Sequence, residues 1–168
     1  MLCSSFSKTI APGYRIGWIA PGRYAEQVER LKSVTSLTTA VPPQLAIAEF
    51  LANGCYEFHL RRLRRIYSRQ MALISQAVAE HFPEGTRVSN PQGSFVLWVE
   101  MPEGIDSIRL YELARGQGIT FAPGPLFSAG SGKFRNYLRL SAAFWSERVA
   151  DGIALLGRLA QPVATASP

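Results

Sequence analysis

Long apolar runs, cysteines, histidines and acidic residues are all scarce here, and each scarcity excludes something. No apolar run reaches the roughly 18–20 residues of a membrane helix, so no membrane partner is expected. The N-terminus lacks the basic, apolar and small-residue pattern of a secretory signal, which points to a cytoplasmic chain. The two cysteines, Cys3 and Cys55, form no metal-ligand spacing and read as free buried thiols. The two histidines, His59 and His81, lie in one helical segment without a partner at metal spacing. They read as ordinary surface or interface residues, and no metal is expected. Asp and Glu number 12 against 18 Lys and Arg, a net charge of +6. That excess alone would suggest a nucleic-acid partner. Five of the arginines (Arg61, Arg62, Arg64, Arg65, Arg69) crowd one segment, however, with no helix-turn-helix or interleaved aromatic pattern around them. They read first as a solvated helix face, and second as a contact for acidic groups of a partner domain.

What is present suffices for a core: 168 residues, 47% of them hydrophobic. The spacing predicts a helix over residues 23–37, with Tyr24, Val28, Leu31 and Val34 or Thr35 on one face. Pro42-Pro43 breaks the chain, and the second proline suits the opening of a helix over 44–53 that ends at Asn53-Gly54. The longest periodic segment is 56–82, where Leu60, Leu63, Tyr67, Met71, Ile74, Val78 and Phe82 recur at threes and fours. Beyond Pro83-Glu84-Gly85 the period changes. Strands are predicted at 86–88, 94–100, 119–121 and 136–141, a helix capped by Asp106 over 107–115, and a last helix capped by Ser146 to about 159. Residues 161–168 read as a frayed tail.

The chemistry is concentrated at the start. Met1-Leu2-Cys3 leads into Ser4-Ser5-Phe6-Ser7-Lys8, then Pro12-Gly13-Tyr14-Arg15-Ile16-Gly17-Trp18. This is strand, turn, strand, with hydroxyls and two cations gathered at the bend. Such a set can hold a dianionic phosphate while leaving one amine for covalent chemistry. The pattern Ser-x-Ser-Lys followed by Pro-Gly-x-Arg-x-Gly-Trp resembles the Schiff-base segment of fold-type I pyridoxal 5'-phosphate (PLP) enzymes, the aspartate aminotransferase superfamily. The wording is most similar to 2-aminoadipate or kynurenine aminotransferases and to MocR-type regulators, which carry the same domain behind a GntR winged helix.

The resemblance reaches to about Ala160 and matches the C-terminal portion of such proteins. It implies the end of an α/β large domain at residues 1–54, a small α+β domain at 55–160 with an antiparallel sheet and helices on one side, and the tail. Lys8 is then the Schiff-base lysine and catalytic residue, with Ser5, Ser7 and Arg15 on the cofactor phosphate. An aldehyde condenses only with a neutral amine, so nearby positive charge such as Arg15 would assist. Arg139, in Asn136-Tyr137-Leu138-Arg139-Leu140-Ser141, takes the substrate α-carboxylate, for which a planar fork is suited. An arginine within an apolar strand would otherwise need a paired charge. Gly93, before Ser94-Phe95, stands where the family's chain approaches substrate, although a plain turn is the simpler reading. Pro123-Gly124-Pro125 with Phe127 resembles the loop preceding the carboxylate arginine.

The family's pyridine-nitrogen aspartate, ring-stacking aromatic, glycine-rich turn and asparagine precede the lysine segment. On this reading the chain alone holds half a phosphate site and is expected to be inactive by itself. The function expected is that of an aminotransferase acting between an α-amino acid and a 2-oxo acid as a homodimer of full-length subunits. The alternative is the effector domain of a MocR-type regulator, touching DNA only through a separate N-terminal domain. A third reading is an inactive structural fragment.

Overall fold

The computed structural model describes residues 1–130 and 132–161. Its contacts separate the chain into two compact units, Met1–Leu63 and a second beginning at Arg64.

The first unit opens with strands β1 (Leu2–Ser5) and β2 (Gly17–Ala20), paired antiparallel with Ser5 opposite Gly17 and Ser4 opposite Trp18. Between them the chain makes a tight turn and a single 3-10 turn at Pro12–Tyr14, where proline supplies a fixed φ and lacks an N–H to satisfy. Helix α1 covers Ala25–Thr35 and α2 covers Val41–Ala52. The expected start of α1 at residue 23 is instead a 3-10 turn at Gly22–Tyr24. Helix α2 begins earlier than expected, taking both prolines into its first turn, where their missing N–H groups have no intrahelical acceptor to lose. Helix α1 buries nothing: Leu31 and Val34 of its apolar face are 61% and 76% exposed. The thiols of Cys3 and Cys55 are exposed, against the expectation of burial. Cys3 sits in β1, every residue of which is exposed, and Cys55 opens α3 (Cys55–His81).

Helix α3 is the long periodic segment, and its apolar stripe is fully buried only towards its C-terminal end, at Ile74, Ala77 and Val78. The second unit adds β3 (Arg87–Val88), β4 (Val96–Glu100), α4 (Ser107–Gly116), β5 (Ala122–Pro123), β6 (Tyr137–Ser141) and α5 (Glu147–Ala160). The four strands form one antiparallel sheet in the order β3-β4-β6-β5. Alternation sends Leu97, Val99 and Leu138 to one face, where they pack in a single cluster with Ile74 and Val78, Leu110 and Ala114, and Ile153 and Leu156. Each such side chain contributes roughly 1.5–3 kcal/mol by leaving water. The opposite face carries Trp98, Tyr137 and Arg139. This is the expected α+β architecture with helices on one side.

Two strands depart from expectation. The pattern at Ile119-Thr120-Phe121 forms no strand: the Ile119 N–H bonds back to the Ala114 carbonyl, closing α4, and the Phe121 ring packs edge-on against Tyr111. The ladder is joined instead by Ala122–Pro123, and proline fits there because β5 is an edge. Strand β4 starts at Val96 rather than residue 94, since Ser94 takes φ of 78° and turns the chain out of the extended form. Of the expected frayed tail, residues 162–168 lie outside the described residues.

Asp106 caps α4 as expected, its Oδ1 accepting from the N–H groups of Ile108 (2.8 Å) and Arg109 (3.3 Å). Its Oδ2 takes Arg135 through Nε at 3.2 Å and Nη2 at 2.6 Å. The Arg135 hydrogen bond, with those two backbone donors, holds the carboxyl below the usual carboxylate range. A carboxyl so lowered stabilises the fold above its unfolded value, near pH 4, and loses that contribution as the pH falls through the lowered folded value. Asp106→Ala should therefore cost about 1–2 kcal/mol at neutral pH, mostly as a lost cap. The gap from wild type in urea unfolding should narrow as the pH drops below about 4. A gap independent of pH would show that the charge plays no part.

Candidate functional site

The residues singled out at the N-terminus converge in one turn. Ser5, the last residue of β1, accepts the Ser7 N–H on its Oγ at 3.1 Å and donates to the Ile16 carbonyl at 3.4 Å. The Ser7 Oγ accepts from Arg15 Nη1 at 3.2 Å. Arg15, Ser7 and Ser5 thus form a continuous polar chain, and Lys8 follows directly on the same turn. The Phe6 N–H donates to the Ile16 carbonyl at 3.0 Å, and the Phe6 carbonyl receives the N–H groups of Thr9 and Ile10 at 3.2 and 2.8 Å.

Two backbone features hold this turn. Arg15 is left-handed, with φ of 53° and ψ of 33°, a conformation that strains a branched or long residue and that glycine would adopt without strain. At Gly17 a Cβ would lie 2.8 Å from the Ser4 carbonyl, so only glycine lets β2 approach β1 this closely.

Neither the Arg87–Glu100 nor the Arg135–Asp106 ion pair involves Arg15, and its guanidinium and Lys8 are exposed. Two hydroxyls, a guanidinium fork without a carboxylate partner and an amine make a donor set that suits a phosphate dianion next to an electrophile. Beside the turn lies a groove of about 520 Å³ lined by Ser4, Ser5, Phe6, Trp18, Leu51 and Tyr56.

Sequence reasoning passed over the residues that secure this turn from α3. Tyr56 Oη donates to Thr9 Oγ1 at 3.3 Å, and His59 Nε2 stands 2.8 Å from the Thr9 carbonyl. His59, which the sequence presents as a surface or interface histidine, is half-buried with its ring edge-on to Phe50. The three-residue spacing of Tyr56 and His59 marks a shared helix face, but only the tertiary fold supplies Thr9 as the target.

Arg139 and Gly93 belong to the second unit. Arg139 is exposed, which removes the expected cost of a charge within an apolar strand: alternation puts it on the outer face, opposite Trp98 in β4 and Ala122 in β5. Its guanidinium carbon lies 4.6 Å from the centre of the Phe127 ring, and Trp98 packs edge-on against the same ring at 5.4 Å. Phe127 ends the 3-10 turn Gly124–Phe127, where a Cβ on Gly124 would stand 2.8 Å from the Tyr137 Cβ. The loop named in the sequence thus supplies the aromatic face under Arg139. Gly93 is exposed in the β3–β4 loop, with nothing within 4 Å of where a Cβ would be, and borders a cavity of about 590 Å³ that Arg64, Tyr67 and Asn90 also line. The five helix arginines are all exposed.

No protein-family model matches the chain. Its sequence is 43% identical over 143 residues to the HTH-type transcriptional regulator YjiR of Escherichia coli, covering 85% of this chain and 30% of that protein. The 2-aminoadipate transaminase of Thermus thermophilus is 32% identical over 157 residues, covering 92% of this chain and 39% of the enzyme. Among solved structures, α-aminoadipate aminotransferase LysN from Thermus thermophilus, complexed with N-(5'-phosphopyridoxyl)-L-leucine, superposes with a TM-score of 0.84. That match has 30% identity and takes in 95% of this chain and 41% of the other.

Fold and relatives define the class, that of aminotransferases of fold type I. The chain belongs to this PLP-dependent superfamily and corresponds to the C-terminal portion that its aminotransferases share with MocR-type regulators. It spans about a third of the length of the curated relatives it matches.

Proposed function

We propose that this chain is the lysine-bearing portion of a PLP-dependent aminotransferase that moves an amino group between an α-amino acid and a 2-oxo acid. The observation that carries the reading is the Arg15–Ser7–Ser5 chain of hydrogen bonds on the turn that bears Lys8. Arg15 and the two serine hydroxyls would hold the cofactor phosphate, the Ser5 hydroxyl by turning its proton away from the Ile16 carbonyl. When bound, PLP supplies an electron sink for bond breaking at the substrate Cα. Lys8 contributes the amine that attaches the cofactor and, once released, holds and moves the Cα proton. Arg139 would orient the substrate by a fork on its α-carboxylate, which selects the bond to be broken. Its place over Phe127 supports that role, because a guanidinium stacked on a ring keeps its edge N–H groups available.

A second reading has its own support, the 43% identity to a transcriptional regulator. In a regulator the same residues would take PLP and an amino compound as effectors. One experiment separates the two in a subunit of the relatives' length. Repeated turnover of an α-amino acid with a 2-oxo acid is expected for the enzyme. Conversion that halts after one equivalent, together with amino-acid-dependent DNA binding, would assign the regulator. A homodimer and a cytoplasmic location accompany either reading; among the described residues no helix is long and apolar enough to cross a membrane.

A further inference from the structure

We propose that His59 is a positioning residue for Lys8, acting through the backbone of Thr9. The inference rests on the reading of Lys8 as the cofactor-linked lysine. Thr9 follows Lys8 directly, and all three of its polar groups are engaged. Its N–H donates to the Phe6 carbonyl at 3.2 Å, its Oγ1 accepts from Tyr56 Oη at 3.3 Å, and its carbonyl meets His59 Nε2 at 2.8 Å. A carbonyl only accepts, so Nε2 carries the proton and Nδ1 is left as the second nitrogen.

The rings that make these bonds are themselves fixed. Phe50 packs edge-on against His59 at 5.8 Å and against Tyr56 at 6.4 Å, and Phe6 packs edge-on against Tyr56 at 6.1 Å. Tyr56 and His59 lie one turn apart on α3, so a rigid helix face grips the peptide just after the lysine. A lysine carries its amine on a long stem with several rotatable bonds. Fixing the backbone from which that stem departs reduces the disorder lost when the amine bonds to the cofactor aldehyde. The hydrogen bonds that join Ser5, Ser7 and Arg15 do not pass through Thr9. His59 should therefore matter for the covalent step and be silent in the non-covalent one.

The test uses a subunit of the relatives' length and two probes. PLP can bond to Lys8, whereas pyridoxamine 5'-phosphate has no aldehyde and reports phosphate capture alone. His59→Phe keeps an aromatic ring beside Phe50 and removes the donor. It should weaken PLP binding about three- to tenfold, the worth of one net hydrogen bond, and leave pyridoxamine 5'-phosphate binding unchanged. His59→Gln, whose amide N–H can reach the same carbonyl, should restore PLP binding. Tyr56→Phe, which keeps both ring contacts, should shift PLP binding in the same direction as His59→Phe and provides the result should His59→Phe not fold. Equal losses for both probes would reduce His59 to a structural residue, and an unchanged PLP affinity in His59→Phe or Tyr56→Phe would overturn the proposal. Borohydride reduction of the wild-type protein and peptide mapping test the underlying reading separately, because a label away from Lys8 would remove that reading whatever His59 does.

Discussion

Lys8→Ala, in a subunit of the relatives' length, should abolish the borohydride-stable pyridoxyl label while leaving phosphate-mediated cofactor binding partly intact. The two effects separate because the groups involved are different. Covalent attachment needs an amine at residue 8, whereas the proposed phosphate donors are the hydroxyls of Ser5 and Ser7 and the guanidinium of Arg15, linked to one another without Lys8. Amino-group transfer should fall by roughly 10²–10⁴-fold or more, since removing the proton-transferring group alone costs that much. The measurement is peptide mapping of reduced protein together with a spectroscopic PLP titration. A label that persists on Lys32 or Lys133 would show that the motif has been assigned to the wrong lysine.

Arg139→Lys should weaken amino-acid binding much more than cofactor binding. A point ammonium cannot reproduce the two parallel donors of a guanidinium, and a charge-assisted hydrogen bond is worth roughly 1.5–3 kcal/mol, or about 10- to 150-fold in affinity. The Phe127 ring beneath the guanidinium adds to the difference, because a planar cation stacks on that face and a tetrahedral ammonium does so less well. Titrations of substrate and of PLP on the same variant give the ratio. Equal losses for both ligands would mark Arg139 as structural.

These two experiments bear on residues that were legible in the sequence for unequal reasons. Lys8, Ser5, Ser7 and Arg15 fall within eleven consecutive positions, so a local pattern could place them together, and the turn does bring the serines and Arg15 into one hydrogen-bonded chain. Arg139 was legible only as an anomaly, a cation in an apolar strand. The anomaly had another cause, since the sheet has an open face and Arg139 lies on it. Helix positions read well where periodicity or a cap governed them, as in α3 and α5. The strands at Ala122–Pro123 and Val96–Glu100 read less well, because a hydrogen bond to the Ala114 carbonyl and a positive φ at Ser94 decided them.

By itself the sequence determined the helices apart from the starts of α1 and α2, the caps at Asp106 and Ser146, and the lysine turn, all of which follow from interactions between residues near one another in the chain. Which face of the four-stranded sheet is covered, the ring on which Arg139 rests, and the grip of Tyr56 and His59 on Thr9 were decided only by the tertiary structure. The last two join residues 12 to 50 positions apart, Arg139 to Phe127 at one end and His59 to Thr9 at the other. A contact over such a span depends on how strands and helices pack, and a local pattern records the residue without recording what it will meet.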